Sequence, residues 1–501
     1  MFLLLLIIII IIPFLFLLLK PLFNSNSKSK SQIYPPSPAS LPFIGHLHLL
    51  LPIPYRALHS LSLIHGPIML LRLGQIPTLI LSSSSSVRSM TKSHDIAFSS
   101  RPNLKVPRQL VYNSKNISFS PYGPYWRQSR KLSVLHLLST KRVLSFRPIR
   151  NSELYIMLSN ISNHSLSGPI NLSETIYFFT TNILCKVAFG QSISEESQCR
   201  MLHDSISEAA MLFSAFSADD YFPSLKWLNM FSNLDSKIAK IFKKLDGFIT
   251  SVVEDHLIAG VRDKDDDNAD LVDILLSLQK NPPSGEFSPT MDEVKAIILN
   301  MLAAGTSTSF IFLEWAMSEL IQNPKVMKKL KEEAKSVAGK DSVVTEENVN
   351  KMPYLKAVAK EVLRLHPPAP LLLPRETIED IELEGYKIPA KTRVLINAWA
   401  IGRDPKSWDA PEEFIPERFI NSDLDFRGQD FEFIPFGVGR RICPGMQFAV
   451  ATIEFALANL VHHFDWEMPK GLSAEDLNMD EAQGLTMHRK YPLVLVAKKV
   501  D

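Results

Sequence analysis

The first 19 residues form an almost unbroken apolar run, which limits where the rest of the chain can fold. Apart from Pro13 the run contains only Met, Phe, Leu and Ile, so a helix here would be about 28 Å long, matching the hydrocarbon core of a bilayer. No positive charge precedes it and no small-residue cleavage site follows it, which favours a retained anchor over a secretory signal. Lys20, Lys28 and Lys30 follow, so the positive-inside rule predicts that the remainder faces the cytosol.

Residues 1–19 are therefore predicted to be a transmembrane helix, residues 20–45 a polar spacer and proline-rich hinge, and residues 46–501 one large domain. Prolines fix φ and remove hydrogen-bond donors, so the segment after residue 34 is expected to be extended and stiff. A ligand for a proline-binding domain is the alternative for that segment. No repeat or second long apolar run follows residue 50, which favours one domain.

Charge and cysteine content exclude two classes of protein. Lys and Arg total 54 and Asp and Glu total 52, a net charge of +2 that does not supply the basic excess of a nucleic-acid binder. No nucleic-acid partner is expected. The chain has three cysteines, Cys185, Cys199 and Cys443, so a disulfide framework does not hold the fold together and a reducing compartment fits best.

Apolar residues at helical spacing dominate the domain, and strand patterns are few, so the fold is expected to be mainly α-helical with small β-sheets. A serine run at 82–86 is predicted to form a turn, and a charge cluster at 262–270 a solvated connection. Helices are predicted at 235–257, 291–322, 324–337 and 352–365, and strands at 68–73 and 78–81 and as a pair at 381–384 and 392–397.

The longest predicted helix, 291–322, begins with a capping-box pattern, Thr290 with Glu293 three residues later. Its centre is a small, hydroxyl-rich patch, residues 303–309. Glycine and consecutive hydroxyl residues inside a helix reduce its stability and allow a close approach to the backbone. Tight packing of another helix is the alternative explanation for this patch.

A segment near the C-terminus has the features that a thiolate ligand requires. It reads Phe436-Gly-Val-Gly-Arg-Arg-Ile-Cys-Pro-Gly445. Its glycines allow a tight turn whose amides can point at the sulfur of Cys443, Arg441 offers positive charge, and Phe436 can shield the ligand from water. A buried, inert thiol is the usual state of a lone cysteine, but the surrounding decapeptide favours a ligand.

The pattern formed by Phe436, Gly439, Arg441, Cys443 and Gly445 resembles the haem-ligating loop of the cytochromes P450. Three further matches follow the family's motifs: Trp126 with Arg130, Glu361 with Arg364, and the sequence Pro416-Glu-Arg418-Phe. With the hinge, the resemblance covers essentially the whole chain. It implies the cytochrome P450 fold and haem b, with Cys443 as the axial ligand of the iron.

The resemblance also implies roles for the polar residues of these motifs. Glu361, Arg364 and Arg418 would form a buried network, whereas a surface pair is the alternative for residues three apart on a helix. Four further residues would donate hydrogen bonds to the haem propionates: Trp126, Arg130, Arg375 and Arg441. For Arg375, a role at the protein surface is the alternative.

In the long helix, the resemblance aligns residues 304–308 with the family's distal-pocket motif. Gly305 would leave room for oxygen and Thr308 would supply the alcohol. Ser307 stands where the family usually has an acid, and a serine does not relay protons as a carboxylate does. Monooxygenation remains the main hypothesis because Thr308 is retained.

Residues 122–127 and 35–38 resemble the plant A-type microsomal group. The resemblance implies a monooxygenase of the endoplasmic reticulum membrane, facing the cytosol, that uses O2 to oxidise a small apolar specialised metabolite such as a terpenoid, alkaloid or phenolic. No dinucleotide-binding fingerprint occurs, so the electrons are expected to come from outside the chain. The resemblance implies that they come from NADPH through a separate NADPH-cytochrome reductase, with cytochrome b5 as a further candidate partner. Substrate contacts would come from residues 102–121, 303–304, 369–373 and 484–486.

Two alternatives to a monooxygenase remain. The first, motivated by Ser307, is a haem-thiolate isomerase or dehydratase that needs neither O2 nor a reductase. The second is a membrane-anchored haem protein without catalytic activity.

Overall fold

Helices surround one long central helix in the computed structural model of the protein. The described residues are 33–165, 168–190, 196–225, 227, 232–283, 287–339 and 343–500. The anchor predicted at residues 1–19 and the spacer up to residue 32 lie outside them. The prediction of a mainly helical chain with small sheets is confirmed.

The helices are numbered here in chain order. They are α1 Pro54–His65, α2 Ser84–His94, α3 Lys105–Leu110, α4 Pro124–Leu132, α5 Thr140–Ser145, α6 Arg147–Ser165, α7 Leu172–Phe189, α8 Glu196–Phe213, α9 Ala218–Tyr221, α10 Leu234–Ala259, α11 Leu271–Lys280, α12 Met291–Gln322, α13 Pro324–Ala338, α14 Glu346–Val349, α15 Pro353–Leu365, α16 Ala398–Ile401 and α17 Met446–His463.

The strands form three small sheets. They are β1 Ile68–Leu73, β2 Ile76–Leu81, β3 Ile170–Asn171, β4 Arg375–Glu376, β5 Ile381–Leu383, β6 Tyr386–Ile388, β7 Arg393–Ile396, β8 Phe464–Glu467 and β9 Val494–Lys499. The main sheet has the order β1-β2-β7-β4, in which β2 and β7 are parallel and the other pairs antiparallel. A second sheet has the order β3-β9-β8, and β5 pairs with β6.

Helix α12 is the centre of the main core. It packs against α7, α10, α11, α13, α15 and α17. Thr290 and Glu293 form the predicted capping box at its start. By length and composition it is the one described helix that could cross a membrane, but most of its apolar stretch is buried among these neighbours, as in the core helix of a globular domain.

The predicted pairing of 381–384 with 392–397 is wrong. Glu384 and Gly385 have positive φ and make a tight turn, so β5 pairs with the adjacent β6. β7 joins β2 instead, more than 300 residues away in sequence. The serine run at 82–86 is not a turn either. Ser83 caps α2 by accepting the Ser86 N–H, so the run begins a helix.

The described part of the hinge is attached to the domain. Leu70 N–H donates to the Pro36 carbonyl at 3.0 Å, and Lys387 N–H donates to the Ile33 carbonyl at 2.9 Å. The side chain of His46 is buried and accepts the Arg72 N–H at 2.8 Å. Residues 33–46 therefore lie along the sheets.

Candidate active site

A cavity of about 350 Å³ lies between α12 and the loop that carries Cys443. Its wall is mostly apolar, and no Asp or Glu of the described chain contributes to it. Cys443 is partly buried, and it lines this cavity. Gly305, Ser307 and Thr308 line the cavity from α12.

The loop before α17 is folded tightly around the cysteine. Gly437 and Gly439 have φ of +78° and +62°, a region that favours glycine. A Cβ on Gly439 would also meet the Asp95 carboxylate at 2.3 Å. Cys443 N–H donates to the Phe436 carbonyl at 2.9 Å, which closes the loop, and Gly445 is the N-cap of α17. The sulfur thus lies at the positive end of a helix.

Burial and positive charge act on the sulfur in opposite directions. Burial raises the pKa of the Cys443 thiol, whereas the Gly445 backbone N–H and the Arg130 guanidinium lower it. Arg441 was expected to be the compensating cation, but its guanidinium donates to the Ser99, Ile117 and Ser120 carbonyls. Arg130 has that position because its Nη2 donates to the Ile442 carbonyl at 2.7 Å, next to the cysteine.

Four arginines converge beside the cysteine and line the cavity: Arg101, Arg130, Arg375 and Arg441. Burial lowers the pKa of all four, and mutual repulsion contributes for Arg101 and Arg441. Within the described ranges none is within 4 Å of a carboxylate. The buried Nη1 of Arg375 has no hydrogen-bond partner there. A cluster of like charges of this kind requires an anion.

Carbonyl groups hold these arginines in place. Arg441 donates to the Ser99 and Ser120 carbonyls, each at 2.7 Å. Arg101 donates to the Ser118 and Leu373 carbonyls at 2.9 and 2.6 Å. Since a neutral carbonyl does not neutralise a guanidinium, the positive charge stays available to a ligand.

The position of Trp126 differs from the expectation that it donates to a ligand. Its indole N–H donates to the Ile117 carbonyl at 3.0 Å, and it does not line the cavity. The Arg441 guanidinium lies 4.1 Å from the centre of the indole ring. Trp126 therefore positions Arg441 by a cation–π contact.

Glu361, Arg364 and Arg418 lie together in a buried network. Arg364 forms two bonds to the Glu361 carboxylate, at 2.7 and 2.8 Å, and Arg418 Nε lies 3.1 Å from it. Arg364 also donates to the Gly402, Pro411 and Glu413 carbonyls. The surface-pair alternative does not fit this geometry.

On the opposite wall, Thr308 donates from Oγ1 to the Ala304 carbonyl at 2.7 Å. Gly305 lies between the cavity and helix α7. It lines the cavity, and a Cβ added to it would lie 2.8 Å from Leu184 Cδ1 of α7. Close helix packing, the alternative considered for this patch, is therefore present as well.

Each of the four stretches expected to contact substrate contributes to the cavity wall. The ring of Phe119 also stacks on that of Phe213 from α8, with centres 5.2 Å apart and planes 3° from parallel. Sequence analysis missed Arg101, Phe213 and Asn300 as cavity residues. A buried arginine in the stretch Ser99-Ser-Arg101-Pro has no local partner that would mark it, and the other two lie inside ordinary helical patterns.

The residues present fit an iron porphyrin. A thiol beside a helix N-terminus offers an axial ligand, and four arginines with no described carboxylate within 4 Å suit two propionates. Bound haem would supply the activation of O2, chemistry that amino-acid side chains do not provide.

Comparison with known proteins agrees with this geometry. The family model described as Cytochrome P450 matches residues 35–496. The chain is 48% identical to Cytochrome P450 736A117 of Prunus mume, covering 94% of this chain and 92% of that protein. It is 47% identical to Cytochrome P450 71A1 of Persea americana, covering 91% of each. With Strychnine-11-hydroxylase of Strychnos nux-vomica it shares 45% identity, covering 92% and 91%.

A solved zebra fish cytochrome P450 with progesterone has the same fold, with a TM-score of 0.76 at 24% identity, covering 89% of this chain and 99% of that one. The expected cytochrome P450 fold is thereby confirmed. Family model, relatives and fold agree along the chain, and the chain belongs to the cytochrome P450 family as a cytochrome P450 monooxygenase.

Proposed function

We propose that the protein inserts one atom of O2 into a small, apolar specialised metabolite, using electrons from NADPH through a separate reductase. The observation that carries the proposal is the apolar cavity with Cys443 on one wall and Thr308 on the other. Relatives named as a strychnine hydroxylase and a norfluorocurarine oxidase support a substrate among plant specialised metabolites.

Cys443 is proposed to be the axial ligand of the haem iron. The positive end of α17, the Gly445 N–H and Arg130 stabilise the sulfur as an anion once a metal offsets its burial. Arg101, Arg375 and Arg441 are proposed to hold the propionates, with Trp126 beneath Arg441.

The chain's distal residues are proposed to handle protons and exclude water. The Thr308 hydroxyl can release its bond to the Ala304 carbonyl and donate into the cavity. The apolar wall keeps the reacting carbon dry and restricts its position. Glu361, Arg364 and Arg418 are proposed to stabilise the core beside the haem.

Ser307 keeps one alternative open, a haem-thiolate isomerase or dehydratase. It lines a cavity to which no described acid contributes, so the usual carboxylate is missing from the wall. Such an enzyme would turn over substrate without NADPH, O2 or a reductase.

For its location we propose the endoplasmic reticulum membrane, with one membrane pass and the catalytic domain in the cytosol. The apolar run at 1–19 and the lysines that follow support this arrangement. An NADPH-cytochrome reductase is the proposed electron donor, with cytochrome b5 as a second candidate.

The test is the carbon monoxide spectrum of the reduced full chain in microsomes. Wild type and Cys185→Ala should show the red-shifted Soret band of thiolate-ligated haem, since Cys185 is a buried cysteine of α7. Cys443→Ala should lose it. An unchanged band in Cys443→Ala would refute Cys443 as the haem ligand. Product formation that persists without NADPH would favour the isomerase.

A further inference from the structure

Asn300 shares a face of α12 with the residues proposed to act at the reacting carbon. It lies four residues before Ala304 and eight before Thr308, and all three line the cavity. At 1.5 Å per residue, Asn300 is about 6 Å along the helix axis from Ala304 and about 12 Å from Thr308. A polar side chain thus stands two turns away from Thr308 in a mostly apolar wall.

The orientation of the Asn300 carboxamide follows from its one hydrogen bond. The Ser118 backbone N–H donates to Asn300 Oδ1 at 3.2 Å. A flipped amide would set its NH2 group against this N–H, two donors facing each other, so the oxygen must point at Ser118. Nδ2 has no partner within the described residues and is not among the buried atoms that lack one, so it keeps accessible surface. Its hydrogens are therefore available to a molecule in the cavity.

The surroundings hold the carboxamide in this orientation. The Ser118 carbonyl accepts from Arg101 Nε at 2.9 Å, so both ends of the Ser118 residue are fixed. The next residue, Phe119, donates its N–H to Asn116 Oδ1 at 2.8 Å, and its ring stacks on Phe213. A donor that is already oriented loses little entropy when it binds.

We propose that Asn300 is a specificity-determining residue, which donates a hydrogen bond from Nδ2 to a carbonyl or hydroxyl oxygen of the substrate. The substrate class is an apolar, ring-containing molecule that has an oxygen acceptor remote from the carbon to be oxidised. Binding of that oxygen would place the reacting carbon beside Ala304 and Thr308. The inference rests on the proposed function and adds to it the position of the polar group.

Rejection of other compounds follows from the same donor. A hydrocarbon of equal shape would displace water from Nδ2 without replacing the hydrogen bond, which leaves a donor unpaired in an apolar cavity. The discrimination therefore depends on the oxygen atom and not on size.

The experiment uses aryl imidazoles, which ligate haem iron directly and report binding through the Soret band. Phenylimidazole and the longer biphenylimidazole are each prepared with a terminal acetyl group and, for comparison, with a terminal isopropenyl group, a hydrocarbon of the same size and shape. At one of the two lengths, wild type should bind the acetyl compound about fivefold more tightly than the hydrocarbon compound of the same length. This is the effect of a hydrogen bond near 1 kcal/mol.

The matched variants are Asn300→Asp and Asn300→Leu. Asn300→Asp keeps an oxygen for the Ser118 N–H but offers no donor when its carboxyl is ionised, so the acetyl advantage, measured within the variant as the ratio of the two affinities, should vanish or reverse. Asn300→Leu should lose the same advantage, and any loss of stability in it reports the Ser118 contact. An acetyl advantage that survives Asn300→Asp, or no advantage at either length, would overturn the inference. No Soret shift with phenylimidazole in wild type would instead contradict the haem assignment.

Discussion

Arg130 is the cation that acts on the Cys443 sulfur, although Arg441 lies only two residues from the cysteine in sequence. The Arg130 guanidinium donates to the Ile442 carbonyl at 2.7 Å and lowers the pKa of the neighbouring thiol, whereas burial raises it. Arg441 instead donates to the carbonyls of Ser99 and Ser120. The two arginines therefore lie in different places, one beside the sulfur and one in the arginine cluster that lines the cavity.

Removal of the Arg130 charge should weaken thiolate ligation. Arg130→Gln is expected to lose more than about half of its haem, or to shift its carbon monoxide complex to the thiol-ligated form, because burial then favours the neutral sulfur. Haem content and the Soret position of the carbon monoxide complex measure this. Arg127→Gln, an exposed arginine of the same helix, is the control and should behave as wild type. Equal spectra for both variants would contradict the role given to Arg130.

Loss of the Glu361 carboxylate should destabilise the domain strongly. Glu361→Gln leaves the buried Arg364 without its charged partner, and breaking a buried ion pair costs about 3–5 kcal/mol. Chemical denaturation of the purified protein measures this free energy of unfolding. The control is Glu332→Gln, which breaks the exposed pair with Lys328 and should change stability by less than about 0.5 kcal/mol. A loss below about 1 kcal/mol in Glu361→Gln would show that the network is not needed for stability.

Local motifs could be predicted from the sequence, and contacts between distant segments could not. Helix α12 and its cap follow from apolar spacing and from Thr290 with Glu293, all within one segment. The pairing of β7 with β2 was missed because neither strand's own sequence specifies a partner about 300 residues away. Arg101 was missed for the same reason, since the carbonyl of Leu373 that holds it is remote in sequence.

The charge cluster at 262–270 shows a second limit of sequence analysis. It was predicted to be a solvated connection, yet its last residue, Asp270, is buried at the start of α11. There it caps the helix with Asp273 and bonds to His256 Nε2 at 2.8 Å. A run of charges does not reveal that one member pairs with a histidine 14 residues earlier.

The pair of His256 and Asp270 should make stability depend on pH. The hydrogen bond to Asp270 raises the pKa of His256 to about 9, above its ordinary value of 6.5. Since the folded state has the higher pKa, the stabilisation is complete below pH 6.5 and is lost as the pH rises towards 9. Melting temperatures of wild type and His256→Gln should therefore differ most near pH 6 and converge by about pH 9. A difference that is constant over this range would rule out protonation of His256 as the cause.

Gly305 should be required for helix packing as well as for the cavity. In Gly305→Ala the new Cβ would press on Leu184, and overpacking of this kind costs about 1–3 kcal/mol. Leu184→Ala makes room for the methyl group, so the double variant should be more stable than the sum of the single effects by about 1 kcal/mol. Unfolding free energies of the four proteins give this coupling. Additive effects would mean that Leu184 moves aside freely and that packing does not require the glycine.

Ser307 and Thr308 should control coupling, the amount of product formed per NADPH oxidised. Thr308→Ala removes the hydroxyl that donates to the Ala304 carbonyl, and product formed per NADPH oxidised should fall about tenfold or more, since a positioned proton donor contributes ~10²–10⁴ in rate. Thr308→Ser keeps the hydroxyl and is the control. Ser307→Asp adds a carboxylate to a wall that has none in its described part, so coupling should rise if proton delivery limits the reaction. Unchanged coupling in Thr308→Ala, with NADPH consumption and product measured together in reconstituted microsomes, would show that protons reach the site without this hydroxyl.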